Sequence, residues 1–287
     1  MARGAQRFFA NRGSGVFVGT FLICILLAIV GLRPWLSSKS PDRLDIDHGL
    51  TLRGAPLPPS ADAPLGTDDL GRDVWARIAA GAGTSLEIAA LSTLLALVIG
   101  LTIGLVAGYA GGWVDHALMR LVDLVLAFPF LLLAILLAAL LREADLASSI
   151  APVVVTLGAV GWTPIARVIR GKAMTVSRSE MIVAARALGA SPVRIVTRHV
   201  LPNIAGVAIV LAALGFAQNL LAEAVLSYLG LGPSTPTWGH MLYEGRAYYR
   251  TAPWLVIAPG VAILVAVIAF NLVADGLRDA FDPKDRA

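Results

Sequence analysis

Residues 181–203 read MIVAARALGASPVRIVTRHVLPN, a basic stretch set between two apolar runs, 148–168 and 204–229, that are each long enough to cross a membrane. About 20 apolar residues span the hydrocarbon core of a bilayer. Reading outward from this stretch in both directions gives six such runs, at 16–32, 85–110, 118–141, 148–168, 204–229 and 254–274. The 287 residues are 57% hydrophobic and only 15% charged, with a mean hydropathy of +0.77. A soluble domain carries roughly 25% charged residues. The predicted fold class is therefore an all-α integral membrane protein with six transmembrane helices.

Within the opening stretch the local signals read helix, glycine, helix. Ala184, Ala185, Ala187 and Leu188 favour a helix, and Gly189 stops or bends it. Ser191 is placed to cap a second helix, Pro192 fits its first position, and Pro202 is expected to end it. Arg194 and Arg198 fall four apart on one face, while Val193, Val196 and Val200 recur at helical spacing on another. A short amphipathic pair with net positive charge suits either a lipid surface or a groove on a protein.

The basic residues also orient the chain. Arg3, Arg7 and Arg12 precede the first run, and Arg167, Arg170, Lys172, Arg178, Arg186, Arg194 and Arg198 are opposed by Glu180 alone over residues 167–203. Cytoplasmic segments are enriched in Lys and Arg, so both are expected on that side. Six spans return the C-terminus to it. The segment 36–84 is then external, its Lys39, Arg43, Arg53, Arg72 and Arg77 balanced by seven aspartates. The first run is expected to stay as a helix, because no small-x-small cleavage site precedes Arg33 and Pro34.

Inside the spans the informative residues are small or polar. Gly100, Gly104 and Gly108 repeat every fourth residue and give a bare stripe against which another helix can pack closely. Gly111 and Gly112 end that helix in a tight turn. Asp123 and Glu223 lie in or near apolar runs, where a carboxylate is expensive and faces either a translocation path or a structural hydrogen bond; the sequence leaves both readings open.

Several function classes are excluded or disfavoured. The pI near 9.6 invites a nucleic-acid reading, but the basic residues follow membrane topology and no basic patch is interleaved with aromatics. Cys24 is the single cysteine and lies in an apolar run, so there is no intrachain disulfide or cysteine metal site. His48, His116, His199 and His240 fall in predicted loops or at helix ends, without His-Glu-x-x-His spacing, and no metal or catalytic residue is assigned. Gly171-Lys172 is followed by Ala173 and lacks the glycine pattern of a phosphate-cradling loop, so the chain itself is not expected to bind ATP or to be an enzyme.

The residues VAARALGASPVRIVTRHVLPN resemble the cytoplasmic signature loop of binding-protein-dependent ABC importer permeases, with Ala184, Ala185, Gly189, Leu201 and Pro202 at matching positions and Val183 where that loop usually has glutamate. HGL…PLGTDDLGRDVWARI before the second run, VDLVLAFPFLLLAI in the third, LAEAVLSYLGLG closing the fifth and DGLRDAFDPK at the C-terminus are similar to the dipeptide, oligopeptide and nickel branch, and to its second permease subunit. The resemblance covers nearly the whole chain.

What it implies is a heteromeric transporter. This chain would pair with a second, related permease, two ATP-binding subunits and an extracytoplasmic substrate-binding protein in the bacterial inner membrane, with ATP and Mg²⁺ held by the ATPases and not by this chain. The coupling residues implied are Ala184, Ala185, Gly189, Leu201 and Pro202, with Arg186, Arg194 and Arg198 as charged contacts to an ATPase. The implied organisation is a cytoplasmic segment 1–15, a first helix 16–33, an external loop 34–84, a five-helix permease core 85–278 carrying the coupling loop at about 171–203, and a cytoplasmic tail 279–287. Peptides are the expected cargo, with nickel or glutathione as alternatives in the same branch; a self-sufficient carrier or channel is the reading outside it. Residues 229–251 are expected to face the binding protein or an outer gate, or to form a plain turn.

Overall fold

The structure, a computed structural model, describes residues 2–32, 40–141 and 149–281. Arg33, Pro34, Lys39, Ser148 and residues 282–287 of the tail lie outside the described residues, as do the side chains of Arg3, Arg7 and Arg12. Among the described residues the chain is helical, with no strand beyond two isolated bridges, Leu50–Pro56 and Thr67–Asp73.

Helix α1 spans Ala2–Gly31, with an apolar portion at Gly15–Gly31, and α2 spans Val74–Ala110. The start of α2 is fixed by Asp73, whose carboxylate accepts from the Ala76 amide at 2.9 Å, so the helix begins eleven residues before the apolar run at 85. It ends where expected, at Gly111 and Gly112, with φ of 65° and 57°. Next come α3 (Gly112–Leu126) and α4 (Phe130–Leu141), which meet at 86°. The single span expected over 118–141 is thus a broken one. Pro129 has no amide hydrogen to continue α3, and it disfavours helical geometry at Phe128 before it.

Helix α5 spans Ala151–Ser177, α6 Glu180–Ala187 and α7 Pro192–Ile195; a π turn at Val196–Val200 leads into α8, Leu201–Tyr228. After a loop come α9 (Trp238–Gly245), a 3₁₀ turn (Arg246–Tyr248) and α10 (Trp254–Phe281). Four helical stretches are long and apolar enough to cross a membrane, and the bent pair α3–α4 makes five if it counts as one span.

Pro202 does not end the helix it was expected to end. Helical backbone runs on from Pro192 to Tyr228, 37 residues in all. The Leu201 amide reaches back five residues to the Val196 carbonyl, a π-type bond one residue longer than the α pattern. Local widening of the helix is how the chain takes up a proline that neither donates a hydrogen bond nor tolerates a tight preceding turn.

Packing follows residue size. Helices α2 and α5 run against each other along most of their length, with Gly100, Gly104 and Gly108 at the seam. A Cβ at Gly104 would lie 2.6 Å from the Ala166 carbonyl oxygen, and one at Gly108 would lie 2.6 Å from that of Arg170. Backbone meets backbone there, an approach that only the absent side chains allow. Helix α8 lies against both α2 and α10, and α1 lies on the outside of α10, where Gly19 meets Ala269 and Leu272.

Candidate functional site

The basic stretch folds as two helices around a glycine. At the end of α6 the Gly189 amide donates to Arg186 O and the Ala190 amide to Ala185 O, at 3.0 and 3.1 Å, while Gly189 takes φ 79°. This pattern satisfies the last carbonyls of α6 and turns the chain sharply. Ser191 then caps α7 by accepting from the Arg194 amide at 3.4 Å, with Pro192 at the first turn. The glycine, serine and proline thus act locally as the sequence predicts.

The valine stripe does not face inward as a set. Ile182, Ile195 and Val200 are buried against Ala173 at the end of α5, with Leu105 and Tyr109 of α2 beside them, whereas Val193 is 72% exposed. Ile195 wins the inward position because the π turn changes the helical phase between α7 and Val200. The outward surface carries Met181, Val183, Leu188 and Val193 together with exposed Arg186, Arg194 and Arg198. The Arg186 guanidinium lies 5.2 Å from the centroid of the Tyr109 ring. Ala184, Leu201 and Pro202 are exposed and Ala185 is half-buried. Large exposed apolar side chains beside arginines give this surface the composition of a protein–protein contact. Its base is anchored in the core, and α7 continues into a rod of about 55 Å reaching Tyr228.

The two intramembrane carboxylates have different surroundings. Asp123 on α3 is more than half exposed and accepts from Arg167 Nη2 of α5 at 2.7 Å. About two turns nearer the Gly111 corner, Asp115 is paired with both Nε and Nη2 of Arg170. Glu223 on α8 is fully buried and faces the hydroxyls of Ser227, Thr237 and Ser85, with Ser227 Oγ donating to Oε1 at 2.6 Å.

A cleft of about 590 Å³ opens between the α3–α4 break, α5 and α8, with Thr93 and Ala96 of α2 at its floor. Its walls are mostly apolar, and Asp123 and Glu223 do not line it. Asn219 donates through Nδ2 to Thr93 Oγ1 at 3.0 Å, and the exposed Gln218 stands next to it on α8.

The end of the molecule where α2 begins holds a charged cluster of Asp68, Arg72, Arg77 and Glu244 that no sequence motif marks. Arg77 Nη1 contacts Asp68 Oδ2 and Glu244 Oε2, each at 2.6 Å, and Arg72 bonds Asp68 through Nε at 2.6 Å and Glu244 through Nη2 at 2.9 Å. Burial works against a charge on Glu244, yet the hydrogen bond from His240 and the charges of Arg77 and Arg72 hold its carboxyl down at about 2. The available signal was Arg77 itself, the one basic residue of a long and mostly apolar helix. Nearby, Trp238 is buried, with its amide donating to Ser85 Oγ at 3.2 Å and its indole to Ile78 O at 3.1 Å. The segment 229–251 therefore holds a short helix, α9, seated on α2, and is more than a plain turn.

The family model for the binding-protein-dependent transport system inner membrane component matches residues 100–286. The dipeptide transport system permease protein DppC of Alkalihalophilus pseudofirmus is 40% identical over 269 residues, covering 93% of this chain and 85% of that protein. The oligopeptide transport system permease protein OppC of Escherichia coli strain K12 is 39% identical over 284 residues, covering 98% and 90%. In fold, a chain of the MetNI methionine ABC transporter in an inward-facing conformation aligns with a TM-score of 0.59 at 21% identity, over 70% of this chain and 94% of that one.

Proposed function

The chain belongs to the family of binding-protein-dependent transport system inner membrane components, and from that premise we propose that it forms half of the path by which an ABC importer carries peptides across the inner membrane. The curated relatives named for dipeptide and oligopeptide transport support this cargo, because they align over the external segment and the core together.

The observation that carries the mechanism is the continuous helical rod from Pro192 to Tyr228. Its cytoplasmic end bears the exposed apolar and arginine surface, its middle walls the cleft, and its external end abuts α9. A push delivered at Gly189 and Arg194 is carried through the membrane by a stiff element, which is what alternating access by rigid-body motion requires. In this reading Ala184, Ala185, Arg186, Gly189, Arg194, Arg198, Leu201 and Pro202 form the contact with an ATP-binding subunit. ATP and Mg²⁺ are held by two such subunits and not by this chain, which performs no catalysis of its own. A second permease completes the path, and a substrate-binding protein delivers cargo from outside.

The organisation proposed is six spans with both termini cytoplasmic. The apolar portion of α1 and the bent pair α3–α4 each count as one span beside the four long helices. The external loop is 34–84, the core is 85–278 with the coupling loop at about 171–203, and the tail is 279–287.

Purification of the complex from its native membrane and reconstitution into liposomes tests this reading. Co-purification of two ATP-binding subunits and a second permease, with ATP-driven uptake of peptide presented by the binding protein, is the expected result. ATP-independent uptake by this chain alone would replace the importer with a carrier.

A further inference from the structure

We infer that the cleft beside the α3–α4 break is a side-chain subsite of the translocation path, which takes one apolar side chain of a peptide in transit while Gln218 and Asn219 address its backbone amide. This inference rests on the peptide reading above.

Its position along the helices is the first argument. Thr93 lies midway along α2, Gly161 and Pro164 lie midway along α5, and Gln218 lies inside α8, so the cleft opens along the length of these helices and not at their ends. Inside a bilayer a helix broken through 86° is tolerated only where the irregular backbone is covered by protein or lines a cavity. The second argument is chemical. An exposed carboxamide such as that of Gln218 is costly against lipid tails, so this face meets water, protein or cargo and not acyl chains. The third is size and lining: about 590 Å³ with mostly apolar walls and a few polar groups at one side is the composition of a site for a small ligand. A peptide needs both features at once, apolar volume for a side chain and amide partners for its backbone.

Gly215 allows a direct test. A Cβ there would lie 3.6 Å from Thr93 Cγ2, an ordinary contact, so a larger side chain enters the cleft without forcing the backbone apart. The experiment is competitive uptake of Ala-Phe and Ala-Ala by the complete complex in proteoliposomes. For Gly215→Leu the ratio of Ala-Phe to Ala-Ala uptake is expected to fall by about ten-fold, the discrimination a few methylene groups give in an apolar pocket, with Gly215→Ala much closer to wild type. Leu221→Trp, which narrows the cleft from its exposed rim, should shift the ratio in the same direction even if Gly215→Leu assembles poorly. An unchanged ratio in both variants, whether total uptake is normal or lowered for both peptides alike, overturns the subsite and leaves the cleft as a permease contact. A wild-type complex that moves neither these dipeptides nor any longer peptide presented by its binding protein overturns the peptide reading, and this inference with it.

Discussion

Arg77 and Glu244 are separated by 167 residues in sequence, yet their charged groups meet at 2.6 Å with only 3% of the Arg77 side chain exposed. This contact joins the first turn of α2 to α9 and, through the shared Asp68, to the segment that precedes α2. Removing one partner from such a buried set leaves an uncompensated charge. Glu244→Ala is expected to destabilise the chain by about 3–5 kcal/mol, with Glu244→Gln intermediate. Thermal unfolding in detergent measures it.

The same carboxyl predicts a pH dependence. Its folded value, about 2, lies below the ordinary 4.5, so the ionised form is the one the fold favours. The stabilisation is complete above pH 4.5 and is lost as the pH falls from there toward 2. Wild-type unfolding temperature should drop over this acid range more steeply than that of Glu244→Gln. Parallel pH profiles for the two would remove Glu244 as the cause.

Gly189 has open space where a Cβ would go but a φ of 79°. The penalty for replacing it is therefore conformational and not steric, about 1–2 kcal/mol for an ordinary L-residue and less for asparagine. Gly189→Val is expected to lower peptide uptake per ATP hydrolysed, and Gly189→Asn to recover most of it. Wild-type uptake by Gly189→Val at equal abundance would end the coupling assignment.

Gly104 presents the opposite case. Its added Cβ would meet a backbone oxygen at 2.6 Å, and backbone cannot step aside as a side chain can. Gly104→Ala should cost about 1–3 kcal/mol by overpacking the α2–α5 seam. Gly171→Ala on α5, with no heavy atom within 4 Å of the new carbon, serves as the neutral control. Yield of folded protein and unfolding temperature distinguish them.

Asp123 and Arg167 form an ion pair with both side chains more than half exposed. Where water reaches both groups, such a pair contributes about 0–1 kcal/mol. Asp123→Asn should leave the unfolding temperature nearly unchanged. A fall in uptake at unchanged stability would then place the pair at the path or at the contact with the second permease.

The apolar runs were enough to reveal a membrane protein, and the Gly189, Ser191 and Pro192 signals placed both short helices, because caps and turns are encoded within a few residues. The broken third span was harder to see. Hydropathy averages over 118–141 and does not register that Pro129 interrupts the hydrogen-bond ladder. Pro202 misled for a related reason: a proline is a strong breaker only if the helix cannot widen around it, and whether it can depends on packing of Ile195 and Val200 from distant segments. The Arg77–Glu244 contact and the cleft are products of tertiary placement, and no local spacing announces either.

The π turn at Val196–Val200 also makes the proposed coupling surface a matter of angular phase. Each residue in an α-helix advances about 100° around its axis, so the extra residue held in this turn rotates everything before it by that amount relative to the transmembrane rod. Arg194 and Val193 point where they do because five residues share a turn that normally holds fewer. Losing a single residue of this turn other than Arg198 would leave every side chain of the proposed docking face in place and aim it at the wrong side of the molecule.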